Sequence, residues 1–488
     1  MNKRRLYGIN KMRKAITYVW GVLMIGLLVC CNSAVVDPKP APVIEIVSGY
    51  TIQLTATSDG QWGSDNPSVA TVSSTGLVTA VGAGNATIYT YSSKGEQHIV
   101  CYLEVNPKRN ILFYIATDVD DIDKEAPEKI NEIKAGWKPD QGEMLIYVDR
   151  RVQGAMLLRM NNTPKNGYFD VDTLEIYGVE NSANSAVLAR TINILLNDYP
   201  ADSYGMIFFS HGSGWLPSGT FNSPHSLEAD PQIAPLNPNE VSLRSLVIDN
   251  GEGIRHEMEY YDFAAAIPDN KFDFIILEAC LMSDVLSMYE LRNKAEYVLV
   301  SSAEIVSPGF THIYQNEIMG LYDTKNSVFS VVSGFAQAFH DIIITQFQEN
   351  SVYCSSTLGI IKMSEMQNLA TTVKAALGGI AIDESTLTID NIQTFDRPNA
   401  QISSFPRRYR YFDLDHVMEN LASASQYTAF NDQMEKTVVW KANTKRFLSG
   451  QSGFLINRHC GLTTYIQQSV YPFLNDVYEN SSWFKAIY

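Results

Sequence analysis

The order of apolar and polar residues divides the chain into two parts. Between Val43 and Val105, short runs alternate apolar and polar residues and are separated by Gly, Asn, Ser and Pro, which is typical of strands with one buried face. From Arg109 onward, continuous apolar runs of strand length alternate with segments whose apolar residues recur at helical spacing. Strands that are buried on both faces and joined by helices form mostly parallel sheets. The pattern therefore predicts a small all-β sandwich followed by an α/β domain with helices on both faces of its sheet.

The N-terminus has the pattern of an export signal. Residues 1–14 contain six Lys or Arg residues, and an apolar stretch follows from Ala15 to Val29. That stretch is short for a membrane-spanning helix, and it ends in LLVCCNSA, which resembles the lipobox of bacterial lipoproteins. Cys31 fits lipidation better than Cys30, because the residue before the lipidated cysteine should be small and Val29 is not. An uncleaved anchor is the alternative. In either case we expect an exported protein held at a membrane of a bacterial cell envelope.

The net charge excludes one class of partner. The 488 residues carry a formal net charge of −16, with 45% hydrophobic and 18% charged residues. Such a field repels nucleic acid, and no basic stripe offsets it, so nucleic-acid binding is not expected. The same field favours cationic partners, including peptides that carry Lys and Arg.

Two of the apolar strands end at reactive side chains. GMIFFSHGSGW at 205–215 contains His211, and FDFIILEACLM at 272–282 contains Cys280. In an open α/β sheet, chemistry gathers beyond the carboxyl ends of the strands. If these two strands are neighbours, the imidazole and the thiol lie side by side at that edge. We therefore predict Cys280 as a nucleophile and His211 as its base, the alternative being two buried core residues.

The surroundings of the thiol suggest how it would be activated. A helix is predicted directly after Cys280, and its N-terminus would lower the pKa of the thiol. Gly212 leaves the backbone beside the histidine uncovered, so its N–H and that of Cys280 are candidate oxyanion donors. The cysteines show no CxxC spacing, so neither a zinc site nor a disulfide framework is indicated, and no metal site is assigned.

The all-β part resembles a known module. SDNPSVATVSSTGLVTAVGAGNATIYTYS at 64–92 is similar to the repeating pattern of bacterial Ig-like domains of group 2, and Trp62 precedes it. The resemblance implies a spacer or a weak adhesion unit, with no chemistry of its own.

The α/β part resembles a peptidase family. Three segments are similar in residues, order and spacing to motifs of the clostripain family of cysteine peptidases. They are YPADSYGMIFFSHGSGW at 199–215, FDFIILEACLMSDVLSMYEL at 272–291 and YVLVSSAEIVSPGF at 297–310. The resemblance covers roughly Arg109 to Tyr488. It implies a caspase-like α/β/α sandwich with a mostly parallel sheet.

The resemblance also implies roles for individual residues. His211 and Cys280 correspond to the catalytic dyad of an endopeptidase that cleaves after Arg or Lys. The acid two positions before the nucleophile contributes to the P1 pocket in relatives; it is Glu278 here instead of Asp, and the longer side chain changes the pocket depth. The first acid of the following motif is Ala303, which leaves Glu304. Glu278 and Glu304 are the predicted substrate-binding residues.

Composition and resemblance together give a domain organisation. We predict a signal peptide with lipobox, a Pro-rich spacer, an Ig-like domain, a caspase-like catalytic domain and a C-terminal α/β region that completes the peptidase fold, over residues 1–31, 32–42, 43–106, 109–324 and 325–488 respectively.

A long segment lies between the two predicted catalytic residues. Leu216 to Arg255 is rich in Pro, Asn and Ser, and loops of this length are usually functional or disordered. Relatives are cleaved between their catalytic residues to become active, which makes Arg244 and Arg255 candidate self-cleavage sites. A surface lid without processing is the alternative.

Acidic residues follow two of the predicted strands. Asp118, Asp120 and Asp149 stand at strand ends, where carboxylates commonly cap helices and form turns. The DVDDID run lacks the glycine of an EF-hand loop. No cofactor is assigned with certainty, and a calcium role stays open because some relatives need calcium.

Two hypotheses from different classes follow. The favoured one is a membrane-anchored cysteine endopeptidase that cleaves peptides and proteins at basic residues. The rival is a catalytically silent, peptidase-like surface lipoprotein that binds peptides or proteins. The presence of both dyad residues favours the enzyme.

Overall fold

A computed structural model describes residues 41–55, 60–119, 121–217, 247–249, 256–396, 409–449 and 453–488, with backbone alone at 247 and 248. Residues Pro42–Tyr488 form one compact unit. The N-terminal strands are β1 Val43–Val47, β2 Thr51–Gln53, β3 Gln61–Ser64, β4 Ala70–Val72, β5 Leu77–Ala80, β6 Gly84–Tyr91 and β7 Gln97–Asn106.

These seven strands form a small sandwich of two sheets. One sheet has the order β1-β7-β6-β3 and the other β2-β5-β4. Alternate residues of β6 (Ala86, Ile88 and Thr90) are buried, as the polar–apolar alternation of the sequence requires. Cys101 on β7 is fully buried in the same core.

The remaining strands build one large sheet and three short pairs. They are β8 Arg109–Thr117, β9 Met144–Arg150, β10 Gly154–Met160, β11 Val171–Gly178, β12 Ser203–Phe209, β13 Val247–Asp249, β14 His256–Met258, β15 Phe272–Glu278, β16 Ala295–Ser301, β17 Thr357–Lys362, β18 Phe412–Asp413, β19 Val438–Asn443, β20 Arg446–Phe447, β21 Phe454–Leu455 and β22 Thr463–Thr464. The large sheet has nine strands in the order β11-β10-β9-β8-β12-β15-β16-β17-β19.

Most strands of the large sheet run in one direction. The five central strands, from β9 to β16 in the sheet order, pair in parallel. Strands β10 and β17 flank these five strands and are antiparallel to them. Strands β11 and β19 lie at the two edges and pair antiparallel to β10 and β17, so they run in the same direction as the central strands. All nine residues of β8 are buried, which accounts for its unbroken apolar run.

Helices cover both faces of this sheet. They are α1 Glu125–Gly136, α2 Ser185–Asp198, α3 Tyr260–Ala266, α4 Val285–Glu290, α5 Thr311–Glu317, α6 Val328–Gln346, α7 Met366–Leu377, α8 Leu414–Leu421, α9 Ala424–Thr437, α10 Pro472–Asn480 and α11 Ser482–Ile487. Helices α1, α5 and α6 bury their apolar residues in the core on one face, and the others do so on the opposite face. The predicted α/β/α sandwich with a mostly parallel sheet, preceded by a small β-sandwich, is therefore confirmed.

One helix is long and apolar enough to cross a membrane by length and composition. This is α6, which is the one such helix among the described residues. Six of its side chains are buried in the core beneath the sheet, including Phe335 and Phe339.

Candidate active site

The register of two neighbouring strands sets the position of the predicted dyad. Strands β12 and β15 pair in parallel, and Phe209 at the end of β12 stands opposite Glu278 at the end of β15. His211 and Cys280 each follow two residues later. Neighbouring strands lie about 4.8 Å apart, so the two loops leave the same edge of the sheet side by side. The structure thus brings the two predicted residues to one edge.

The imidazole has an acidic partner that was not among the predicted site residues. His211 Nε2 lies 2.9 Å from Asp121 Oδ1. The His211 side chain is 16% exposed and that of Asp121 is 51% exposed, so the pair borders solvent. Asp121 follows β8, the other neighbour of β12 in the sheet. A carboxylate on a histidine base orients the ring and stabilises the imidazolium that forms in catalysis.

The groups that surround the thiol differ from those that the sequence predicts. Cys280 is half-buried, and the backbone N–H of Ile305 points to its Sγ at 3.4 Å. The helix predicted directly after Cys280 begins only at Val285, because Leu281 adopts a left-handed conformation (φ 60°) and Asp284 is the N-cap. The prediction of a helix terminus at the thiol was therefore wrong. The Ile305 N–H, and not a helix terminus, is directed at the sulfur, and such a donor favours the thiolate.

The loops that carry the two side chains touch through backbone. A Cβ on Gly212 would lie 2.5 Å from the carbonyl oxygen of Cys280 and 2.9 Å from its nitrogen. Only glycine allows this approach. The loop after His211 is also fixed from the C-terminal region, because the Tyr411 hydroxyl donates to the Ser213 carbonyl.

Glu278 is buried and has several partners inside the protein. It is 1% exposed, and Lys129 Nζ lies 2.7 Å from its Oε1. The Phe310 N–H donates to the same oxygen at 2.6 Å, and the Tyr314 hydroxyl donates to Oε2 at 2.7 Å. Burial raises the pKa of Glu278, and the Lys129 cation opposes that shift. The carboxylate is thus already paired inside the core, and a substrate cation would have to displace Lys129 to reach it, so its role in substrate binding stays a prediction that this pairing does not favour.

Glu304, the other predicted substrate-binding residue, is partly accessible to solvent. It is half-buried and directly precedes Ile305, the residue whose N–H contacts Cys280. It therefore lies on the loop that borders the thiol, with part of its surface open to solvent.

A second group of acids lies beyond the ends of β8 and β9. Asp118, Asp149 and Asp249 are all buried, and each offers a carboxylate oxygen within 4.8 Å of the others. Burial, together with the nearby Asp249, raises the pKa of Asp149 to about 9. Carboxylate oxygens are what hard divalent cations prefer, so these residues could hold one. The sequence pattern predicts Asp118 and Asp149 at strand ends, whereas no pattern in the sequence relates Asp249 to them.

Several predicted residues lie outside the described part of the chain. They are Cys31, Asp120, Arg244 and Arg255. Their predicted roles stay predictions.

The fold and the thiol–imidazole edge together define a class of protein, the cysteine peptidases built on an α/β/α sandwich. Residues 113–454 match the clostripain family, and the chain belongs to that family of cysteine proteases. Residues 45–102 match the bacterial Ig-like domain of group 2. As a family member the protein acts on peptides or proteins.

Solved structures agree with this assignment. An inactive zymogen C11 protease from Parabacteroides distasonis is 25% identical, with a TM-score of 0.62 over 78% of this chain and 99% of its own. A secreted C11 cysteine protease from Bacteroides thetaiotaomicron, solved with an irreversible peptide inhibitor, is 24% identical with the same TM-score and coverage. A further structure of a secreted C11 protease from that organism is 20% identical, with a TM-score of 0.61 over 79% of this chain and 100% of its own. None of the curated proteins matches the chain.

Proposed function

We propose that the chain is a cysteine endopeptidase in which Cys280 is the nucleophile and His211 the general base. The observation that carries this proposal is the strand register that places both residues two positions beyond paired strand ends. The thiolate of Cys280 attacks the scissile carbonyl carbon, and the imidazolium of His211 then protonates the leaving amine as the C–N bond breaks. Water, deprotonated by His211, releases the acyl group from sulfur.

Backbone donors are proposed to stabilise the charges that form. The Gly212 backbone packs closely on that of Cys280, which supports the proposal that the N–H groups of these two residues hold the oxyanion. The Ile305 N–H, at 3.4 Å from Sγ, supports the thiolate before attack. Asp121 is a positioning residue, because it acts through the His211 ring.

Cleavage after Arg or Lys is proposed to depend on Glu304. Glu278 is neutralised by Lys129, so it contributes little attraction for a substrate cation. Glu304 is half-buried beside the thiol, and the net charge of −16 adds a general preference for cationic peptides.

A peptide panel tests the reaction and its specificity together. We expect fluorogenic peptides with Arg or Lys at P1 to be cleaved about 5- to 30-fold faster than those with Asp or Asn, since a cation beside a half-buried carboxylate gains about 1–2 kcal/mol. Cys280→Ala should cleave none of them, and Glu304→Gln should reduce the Arg and Lys rates selectively. A preference for Asp or Asn would refute the role of Glu304 without contradicting the proposed peptidase activity. Thiol-independent or absent turnover would favour the silent, peptide-binding alternative.

Self-cleavage is proposed within the segment between the two catalytic residues, at Arg244 or Arg255. We expect wild-type protein to divide into two fragments on incubation, while Cys280→Ala stays intact, because the cut needs the thiol. Intact-mass spectrometry measures both. A wild-type chain that stays whole while it cleaves peptides would exclude processing.

Export and lipid attachment are proposed from the N-terminal signal. Cleavage before Cys31 and attachment of a diacylglycerol group to its sulfur as a thioether would hold the protein at a membrane of the cell envelope. The same mass measurement, made on protein extracted from membranes, detects the lipid. Detection of an unmodified chain in the soluble fraction would contradict the anchor.

A further inference from the structure

The loops that carry the two dyad residues lie backbone against backbone. In the histidine loop (residues 211–215), Gly214 has a left-handed conformation, with φ 55°. A Cβ on Gly214 would lie 2.5 Å from the Leu281 carbonyl oxygen and 2.7 Å from Asp284 Oδ2, both in the cysteine loop (residues 280–284). Only glycine combines this conformation with so close an approach. The distance between the imidazole and the thiol therefore depends on how the two loops are held together.

A short strand pair from the C-terminal region contacts both loops. Strands β18 and β22 are antiparallel, with Asp413 opposite Thr463. Tyr411, which directly precedes β18, donates its hydroxyl to the Ser213 carbonyl of the histidine loop. The N–H of Thr463, the first residue of β22, donates to the Ser283 carbonyl of the cysteine loop at 2.8 Å. One strand pair thus holds both loops, with each strand or its flanking residue bonded to one of them.

The bonds between the strand pair and the loops are removed from solvent. Tyr411 is 1% exposed, and Ser213 and Ser283 are fully buried. The Ser283 hydroxyl donates to the Gly461 carbonyl, which adds a second bond between the cysteine loop and the segment before β22. Burial raises the pKa of the Tyr411 hydroxyl well above its usual value, so this group keeps its proton and remains a donor. Because a buried group that loses its partner is costly, each bond holds its loop in one place.

We propose that the β18–β22 pair is a positioning element of the active site and that Tyr411 is the residue through which it fixes His211. The Ser213 carbonyl that Tyr411 holds lies two residues after the imidazole on the chain, so a displaced loop moves the ring relative to the thiol. A misplacement of about 1 Å between reacting groups costs about 100-fold in rate. This role rests on the proposed function, in which His211 is the base of Cys280. The C-terminal region would then do more than complete the peptidase fold.

Tyr411→Phe removes the hydroxyl alone, and Tyr322→Phe is the matched control. The Tyr322 hydroxyl also donates to a backbone carbonyl in the interior, that of Glu143 at 3.1 Å. Glu143 precedes β9, at the amino ends of the parallel strands and therefore at the edge of the sheet opposite the dyad. We expect kcat for the best peptide of the panel to fall about 10-fold in Tyr411→Phe, with KM within about 2-fold, and neither to change in Tyr322→Phe. The two variants should lower the unfolding temperature by similar amounts.

Alkylation of Cys280 by iodoacetamide gives a readout that does not require peptide turnover. The pH at which the thiolate appears should rise in Tyr411→Phe, because the imidazole is displaced from the thiol, and should stay at the wild-type value in Tyr322→Phe. Both effects of Tyr411→Phe should vanish in the His211→Ala background, since Tyr411 acts through the His211 ring. Ser283→Ala, which loosens the cysteine loop, is the second variant if Tyr411→Phe does not fold, and it should move both readouts in the same direction.

The outcomes separate this proposal from the proposed function. Equal kcat values and equal alkylation profiles in the two tyrosine variants would overturn the positioning role, and so would an effect of Tyr411→Phe that persists in full without His211. If the wild type cleaves no peptide but Tyr411→Phe still shifts the alkylation profile, the peptidase activity is refuted, whereas the positioning of the imidazole by Tyr411 is supported.

Discussion

His211→Ala is expected to lower kcat for the preferred peptide by about 10³-fold or more, because the thiol loses both its base and the acid for the leaving amine. The fold should survive, since the His211 side chain is only partly buried and lies on a loop at the sheet edge. KM should change little, as the imidazole binds no part of the substrate before the reaction. Steady-state kinetics on the best peptide of the panel, together with thermal unfolding, measures both consequences.

The pH dependence of cysteine alkylation distinguishes loss of the base from loss of the folded structure. Alkylation of Cys280 by iodoacetamide, followed as a function of pH, reports the thiolate directly. We expect the reactive form to appear only at higher pH in His211→Ala, because the thiolate no longer has an imidazolium beside it. His98→Ala is the matched control, since His98 is exposed on the Ig-like strand β7 and should change neither rate nor alkylation profile. Unchanged turnover in His211→Ala would remove this residue from the mechanism.

Asp121→Asn offers a graded comparison within the same experiment. The carboxylate contacts His211 Nε2 but is half-exposed, so solvent screens part of its effect. We expect a loss of about 10-fold in kcat, well below that of His211→Ala, with a shift in the pH profile. A purely structural role for Asp121 would lower the unfolding temperature without moving that profile.

The fold and the dyad positions were predictable because they depend on patterns repeated along the chain. The apolar runs before His211 and Cys280 are long enough to be buried strands, and parallel strands place their following residues at one edge. Side-chain pairing is different, because it joins residues that no local pattern relates. Lys129 lies on α1, far from Glu278 in sequence, and its burial on a helix face was not evident from its charge. The pairing of Glu278 with Lys129 was missed for that reason.

Two other features were missed for related reasons. Asp121 belongs to an acidic run at the end of β8, and only the sheet order shows that this run faces the loop of His211. The sequence did contain a signal for this contact, because acids that follow one strand can lie beside a histidine that follows the neighbouring strand. The start of α4 was placed too early because the residues after Cys280 have helical spacing. The left-handed Leu281 and the cap at Asp284 delay the helix to Val285.

The second large effect is expected at the buried ion pair behind the thiol. Lys129 is fully buried, and its ammonium donates to Glu278 Oε1 at 2.7 Å, to the Pro308 carbonyl at 3.0 Å and to Thr311 Oγ1 at 2.9 Å. It also lies 4.0 Å from the centre of the Phe209 ring. Lys129→Met keeps the aliphatic volume but leaves two buried carboxylates without their cation, those of Glu278 and of Glu125, whose Oε2 lies 3.6 Å from Nζ. Removal of one partner from a buried pair costs about 3–5 kcal/mol.

The destabilisation of Lys129→Met should depend on pH in a defined direction. Without the cation, burial raises the folded-state pKa of Glu278 further above its unfolded value, so the folded state holds a proton that the unfolded state releases as pH rises. The free energy of unfolding of the variant should therefore be closest to that of the wild type at pH 5, and the difference between the two should grow towards pH 8. Urea unfolding at the two pH values measures the difference. An equal loss at both would show that lost packing, not the unpaired carboxylate, is the cause.

The double variant Lys129→Met/Glu278→Gln removes the charges of Lys129 and Glu278 together and leaves the buried Glu125 carboxylate as the one that has lost its cation. We expect it to recover about half or more of the lost free energy of unfolding, since a neutral amide tolerates burial better than an unpaired carboxylate. Lys445→Met is the matched control: Lys445 and Glu349 form a pair at 3.0 Å whose side chains are 73% and 63% exposed, and such pairs contribute less than about 1 kcal/mol. A double variant no more stable than Lys129→Met would mean that the hydrogen bonds of Lys129 to Pro308 and Thr311, and not its charge, hold the loop beside Cys280.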